Sequence, residues 1–245
     1  MPDPSAARDV PDLLRALMIQ DAGRPRLTWY GPADERIELS AKTLNNWVSK
    51  TANLLVDELE AEPGTRIGLS LPPHWRSAVW LLAIWSAGAH AVLIPPAGAV
   101  DVLVTDRPDS GVAQVCAGSG ATLVAVALPA LATRFTGPLD PDVVDAATQV
   151  RLQPDAYDCP QDPDGDDPAL TVRGQTLSYA ELLPSAAKAG LAPGVRLLTG
   201  AGPDQAVSAW LAPLLAGGSV VLHGDLLAAA VQRIADQEGT TAAPS

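Results

Sequence analysis

The chain has 245 residues, 47% of them hydrophobic and 18% charged, with a formal net charge of −12 at pH 7. That length buries a real core in one large or two small domains, and the balance is globular, not disordered. The acidity excludes a nucleic-acid or anionic-membrane surface, since both need a basic face.

Residues 1–20 lack the charged-then-apolar pattern of a signal peptide, and the longest apolar helical run, 78–84, is far short of a bilayer span. A soluble cytoplasmic protein is expected. Cys116 and Cys159 stand in no metal or redox spacing and are expected as two buried or idle thiols, with a disulfide as the alternative.

Val10, Leu13, Leu14, Leu17 and Met18 recur at helical spacing and predict an amphipathic helix over 9–19. Residues 27–39 read as a β-hairpin turning at Gly31, Pro32 and Asp34. Ser40 then caps a helix whose apolar face carries Leu44, Trp47, Val48, Thr51, Leu55 and Leu59. Pro63 and Gly64 break it. The next stretch, 63–92, reads strand, turn, helix, strand, the last strand being 91–94 followed by Pro95 and Pro96. Its tryptophans, Trp75, Trp80 and Trp85, are five residues apart, so each step turns about 140° and no helix face holds all three. Such a helix is buried on several sides, within the chain first, or against a second copy.

Short buried-type strands follow at 100–105 and 122–127, joined by a Gly-rich connection. Residues 137–168 are rich in proline and aspartate and read as an acidic linker. Their D-P-D-G-D-D run lacks the closing glutamate and regular spacing of a calcium-binding EF-hand, so no metal site is assigned. A second hairpin at 170–177, with Ser178 as cap, leads to strand 195–199, helix 205–215, strand 219–223 and helix 226–238 capped by Asp225. Residues 239–245 read as a frayed tail.

Residues 193–222 repeat residues 63–92. At an offset of 130, Pro63/Pro193, Gly64/Gly194, Arg66/Arg196, Pro73/Pro203, Trp80/Trp210, Leu81/Leu211 and Gly88/Gly218 are identical. The expected fold is α/β, with two similar subdomains of mainly parallel sheet flanked by helices. The expected division is a first subdomain over 1–136, the linker 137–168, and a shorter second subdomain over 169–245.

Chemistry is sparse. Gly200 and Gly202 follow a strand and open a helix, the setting of a dinucleotide fingerprint, but Gln205 stands where the third glycine belongs. A helix N-terminus still offers N–H groups to an anion. His74, His90 and His223 share no ligand spacing, and no Walker loop, HExxH or nucleophile elbow occurs.

The hairpin LTWYGPADERIELSAKTLNNWVSKTANLL and the run PGTRIGLSLPPHWRSAVWLLAIWSAGAHAVLIPP resemble the start of the large domain of adenylate-forming enzymes: acyl-CoA synthetases, luciferases and nonribosomal peptide adenylation domains. The later run VRLLTGAGPDQAVSAWLAPLLAGGSVVLHGDLLAAAVQRIADQEGTT resembles the section beyond that superfamily's phosphate loop. The resemblance is strongest over 27–96. It implies two similar α/β subdomains, in agreement with the repeat. It also implies a Ser/Thr/Gly-rich loop ending in Pro-Lys that holds the ATP phosphates. The matching place, ALTVRGQTLSYAEL over 169–182, keeps Thr171, Gly174 and Thr176 and offers Arg173, but has neither the Ser-Gly-Thr-Thr run nor the lysine.

The superfamily's adenine-binding motif with its metal-binding glutamate, its ribose-binding aspartate and its C-terminal domain with the catalytic lysine have no counterpart in a chain that stops soon after Thr241. The expectation is a truncated stand-alone homologue with no catalytic residues, acting as a binding, regulatory or scaffold component through an unidentified protein partner or self-association. ATP, AMP or CoA are implied by the resemblance alone. Two alternatives stay open: residual acyl-adenylating or CoA-ligase activity completed by a partner chain, and a nucleotide-binding oxidoreductase acting through Gly200 and Gly202.

Overall fold

The computed structural model describes residues 3–32, 35–93 and 100–242. Asp34 of the expected hairpin turn, Ile94 at the end of the expected strand 91–94, Pro95 and Pro96 after it, and residues 243–245 of the tail lie outside them. In chain order the strands are β1 (Pro25–Tyr30), β2 (Arg36–Ser40), β3 (Arg66–Ser70), β4 (His90–Leu93), β5 (Val102–Thr105), β6 (Thr122–Ala125), β7 (Val144–Asp145), β8 (Pro168–Val172), β9 (Gln175–Ser178), β10 (Arg196–Thr199), β11 (Ser219–His223) and β12 (Thr241–Ala242). The α-helices are α1 (Val10–Asp21), α2 (Ala41–Asn53), α3 (Trp75–Ser86), α4 (Gly111–Gly118), α5 (Ala146–Leu152), α6 (Tyr179–Ala187), α7 (Ala212–Leu215) and α8 (Ala228–Glu238).

Local chemistry accounts for most helix starts. Asp9 caps α1 by accepting the Asp12 N–H at 2.7 Å, and Ser40 caps α2 by accepting the Thr43 N–H at 3.2 Å. Asp225 does not cap the last helix. That helix starts later, behind Leu227, whose carbonyl takes the Ala230 and Val231 N–H groups. The expected helix over 205–215 is broken into a 3-10 turn (Pro203–Gln205), a π turn (Val207–Leu211) and α7. Pro213 has no N–H to give the Ala209 carbonyl, and just before it the Ala212 N–H reaches back five residues to Val207.

The strands form two mixed, mostly parallel sheets. One has the order β12-β10-β11-β1-β2 and the other β7-β6-β5-β3-β4-β8-β9, with β2 and β9 antiparallel to their neighbours. The opening hairpins are exchanged between the copies. β1 lies parallel to β11 of the second copy, with Leu27 opposite Val220, and β8 lies parallel to β4 of the first, with Leu170 opposite Ala91. Each hairpin starts on a proline paired with a serine, Pro25 with Ser40 and Pro168 with Ser178, and each shifts register just after it. The sheets therefore do not follow the sequence-order division at 136 and 168. One compact unit comprises Met1–Asn45, Pro72–Ala78 and Ala180–Ser245, the other Asn46–Leu71 and Val79–Tyr179.

The registers also correct the repeat. Leu27 and Leu170 are equivalent only if Val220 answers to Ala91, an offset of 129. The same offset pairs Gly88 (φ 73°) with Gly217 (φ 67°) at the helix ends, where one residue must adopt a left-handed backbone. One residue is thus lost before the second helix ends, and Gly218 answers to Ala89.

Residues 137–168 contain β7 and α5, the latter capped by Asp145 on the Ala147 N–H. The tail is not wholly frayed, since β12 pairs with β10 at Leu197 and Leu198. Trp75, Trp80 and Trp85 are each 3% exposed, so the chain leaves no tryptophan surface on α3 for a second copy. Both cysteines are free, Cys116 buried and Cys159 half-buried.

Candidate functional site

The sequence points to two loops, and each lies in its own unit. Thr171, Arg173, Gly174 and Thr176 come together in the hairpin of β8 and β9. Its connection is only Arg173 and Gly174, with Val172 opposite Gln175. Both have positive φ, 51° and 79°, which makes a type I′ turn, the form whose twist matches the flanking strands. The Thr171 hydroxyl sits 2.8 Å from His90 Nε2 and 2.7 Å from the Thr176 hydroxyl. His90 opens β4, beside β8, so the sheet itself assembles this chain. Burial, then the Arg66 charge, pushes the His90 pKa down and favours the neutral imidazole.

Gly174 carries the turn. A Cβ placed there meets nothing within 4 Å, so the only cost of Gly174→Ala is backbone strain. The expected loss is about 1 kcal/mol, checked by urea denaturation.

Gly200 and Gly202 close the C-terminal end of β10. The Thr199 hydroxyl accepts the Ala201 N–H at 3.0 Å, and Gly202 precedes the 3-10 turn. A Cβ at Gly200 would stand 2.6 Å from His223 Cε1. The histidine ring occupies the space that the missing side chain leaves, so packing within the chain accounts for this glycine. His223 Nδ1 lies 2.7 Å from the Gly224 carbonyl, which can only accept, so Nδ1 carries the proton. Beside it, a Cβ at Gly224 would lie 3.1 Å from the Trp29 ring, and Trp29 meets His74 edge-on at 4.7 Å between centroids. Burial, then Arg76, lowers the His74 pKa to about 3, so that ring is neutral.

Sequence reasoning left out the His90 and His223 contacts. Thr171 lies 81 residues from His90, and Gly200 directly follows the strand beside that of His223, so strand adjacency joins each of these pairs. Among the described residues no group of three or more His, Cys, Asp or Glu side chains could hold a metal ion. No described helix is long and apolar enough to cross a membrane.

No family model matches the chain. A protein of Mycobacterium tuberculosis, described as a TIGR03089 family protein, is 39% identical over 214 residues, covering 85% of this chain and 86% of that protein. The chain belongs to the TIGR03089 family. Among solved structures, an acyl-CoA synthetase of Brucella canis superposes with a TM-score of 0.75 over 98% of this chain at 17% identity. This TIGR03089 protein thus has the α/β fold of part of an acyl-CoA synthetase, and spans about half that enzyme's length, 47%.

Proposed function

We propose that the chain is a catalytically silent member of the adenylate-forming fold, serving as a binding, regulatory or scaffold component. The observation that carries this reading is the two-residue turn at Arg173 and Gly174, where the resemblance places a phosphate loop. Acyl adenylation builds charge on a pentavalent phosphorus, and its stabilisation needs several donors and cations aimed at one point. A type I′ turn exposes only two peptide units. The hydroxyls that flank it are within hydrogen-bond distance of each other, and Thr171 is also bonded to His90. One arginine on such a turn does not make a cradle.

Pyrophosphate release tests the proposal. The full chain is incubated with Mg-ATP and a pool of fatty, aryl and amino acids. Release at the no-protein background is expected, and robust turnover overturns the reading.

A further inference from the structure

At the outer edge of the seven-stranded sheet, within one compact unit, lies a cleft of about 400 Å³ that neither candidate loop touches. Its volume falls in the range of small-molecule sites, about 300–1,000 Å³. One wall is the π turn Leu54–Glu58, and the other is the segment entering β7 and α5. A π turn carries an extra residue per turn and often marks a functional position. The Leu59 N–H reaches back to Leu54, and Leu54, Leu59, Val143 and Val144 give the cleft an apolar lining.

The polar lining is one-sided. Three carboxylates line the cleft, Glu58, Asp142 and Asp145, and no lysine, arginine or histidine does. Asp145 is already engaged, with the Phe135 and Ala147 N–H groups at 2.9 Å and the Thr148 hydroxyl at 3.0 Å. Glu58 and Asp142 are different: among the described residues neither carboxylate has a hydrogen bond or ion pair. Two unengaged carboxylates over an apolar wall repel anions and leave a cation with an apolar body as the complementary ligand.

We infer that this cleft binds a small organic cation, an ammonium or guanidinium group carried on an aliphatic stem. The stem lies along Leu59, Val143 and Val144, and the charge sits between Glu58 and Asp142. The inference is independent of the phosphate-loop reading and survives if that reading fails.

Titration of the full chain with hexylammonium, hexanoate and hexanol tests it, by calorimetry and by amide chemical-shift mapping. Hexylammonium is expected to bind, to weaken as salt is raised, and to shift Val143, Val144 and Thr148. Hexanoate is expected not to bind. The double variant Glu58→Gln, Asp142→Asn removes two exposed carboxylates, so it keeps its fold, and it weakens hexylammonium about tenfold. No binding, equal binding of all three probes, shifts scattered over the acidic surface, or an unchanged double variant each overturns the inference.

Discussion

Gly218→Ala is expected to cost about 3 kcal/mol or more and to leave little folded protein. A Cβ at this position would lie 2.0 Å from the Val195 carbonyl oxygen and 2.9 Å from the Val195 carbonyl carbon and nitrogen. None of these is the end of a flexible side chain. The same carbonyl accepts the Ser219 N–H at 2.8 Å, at the head of the β10–β11 pair, so moving it disturbs the ladder. The Gly218 backbone is held as well. Its carbonyl and that of Gly217 accept from Arg26 Nη1 at 3.1 and 2.7 Å, and Arg26 is 0% exposed. A shift that relieved the clash would strip a buried guanidinium of acceptors that compensate its burial. Chemical denaturation checks this, and a loss below about 0.5 kcal/mol would mean that the strand yields. At Ala89, the equivalent position in the first copy, a β-carbon is already accommodated.

Glu238→Gln is the second large effect, expected to destabilise the protein by about 2 kcal/mol. Glu238 is the last residue of α8, where the helix dipole disfavours a negative charge. It is held there by Arg36, at 3.0 Å, and by Arg196 and the Tyr30 hydroxyl. The clamp holds α8 where its Ile234 packs with Leu198 and Val221. Arg36 and Arg196 keep 39% and 21% of their side-chain surface, so water moderates the cost below that of a fully buried pair.

Burial raises the Glu238 pKa, but the Tyr30 hydroxyl and the two guanidiniums outweigh it and hold the group at about 2. The folded value lies below the unfolded one of about 4.3. This contribution is therefore complete above the unfolded value and is lost as pH falls from there towards 2. The parent's melting temperature should fall over that window, and the fall should be smaller in Glu238→Gln.

The repeat, the alternation of strand and helix, and both hairpins were legible in the sequence, because hydrophobic period and Pro-Gly breaks are local signals. The exchange of hairpins was not. Leu27 and Leu170 sit in similar local patterns, and nothing in a strand names the strand beside it. The ungapped alignment matched Gly88 with Gly218 by identity, whereas backbone conformation matches it with Gly217. Asp225 has the right chemistry for a cap, yet Leu227 takes that place through its backbone carbonyl. Of the candidate sites, the turn at Arg173 and Gly174 was visible as a departure from a family pattern. The His90 contact with Thr171 was not, because parallel pairing of β4 and β8 joins residues 81 apart.

The cleft lined by Glu58 and Asp142 was equally hidden. It depends on a π turn, and the sequence of 54–58 reads as ordinary amphipathic helix.

The proposed function rests above all on a two-residue turn standing in place of a triphosphate cradle. Calorimetric titration of the full chain with Mg-ATP measures this without requiring turnover. No binding is predicted up to about 1 mM ATP. A micromolar dissociation constant, weakened by Arg173→Ala, would place the triphosphate on that turn and overturn the proposed function.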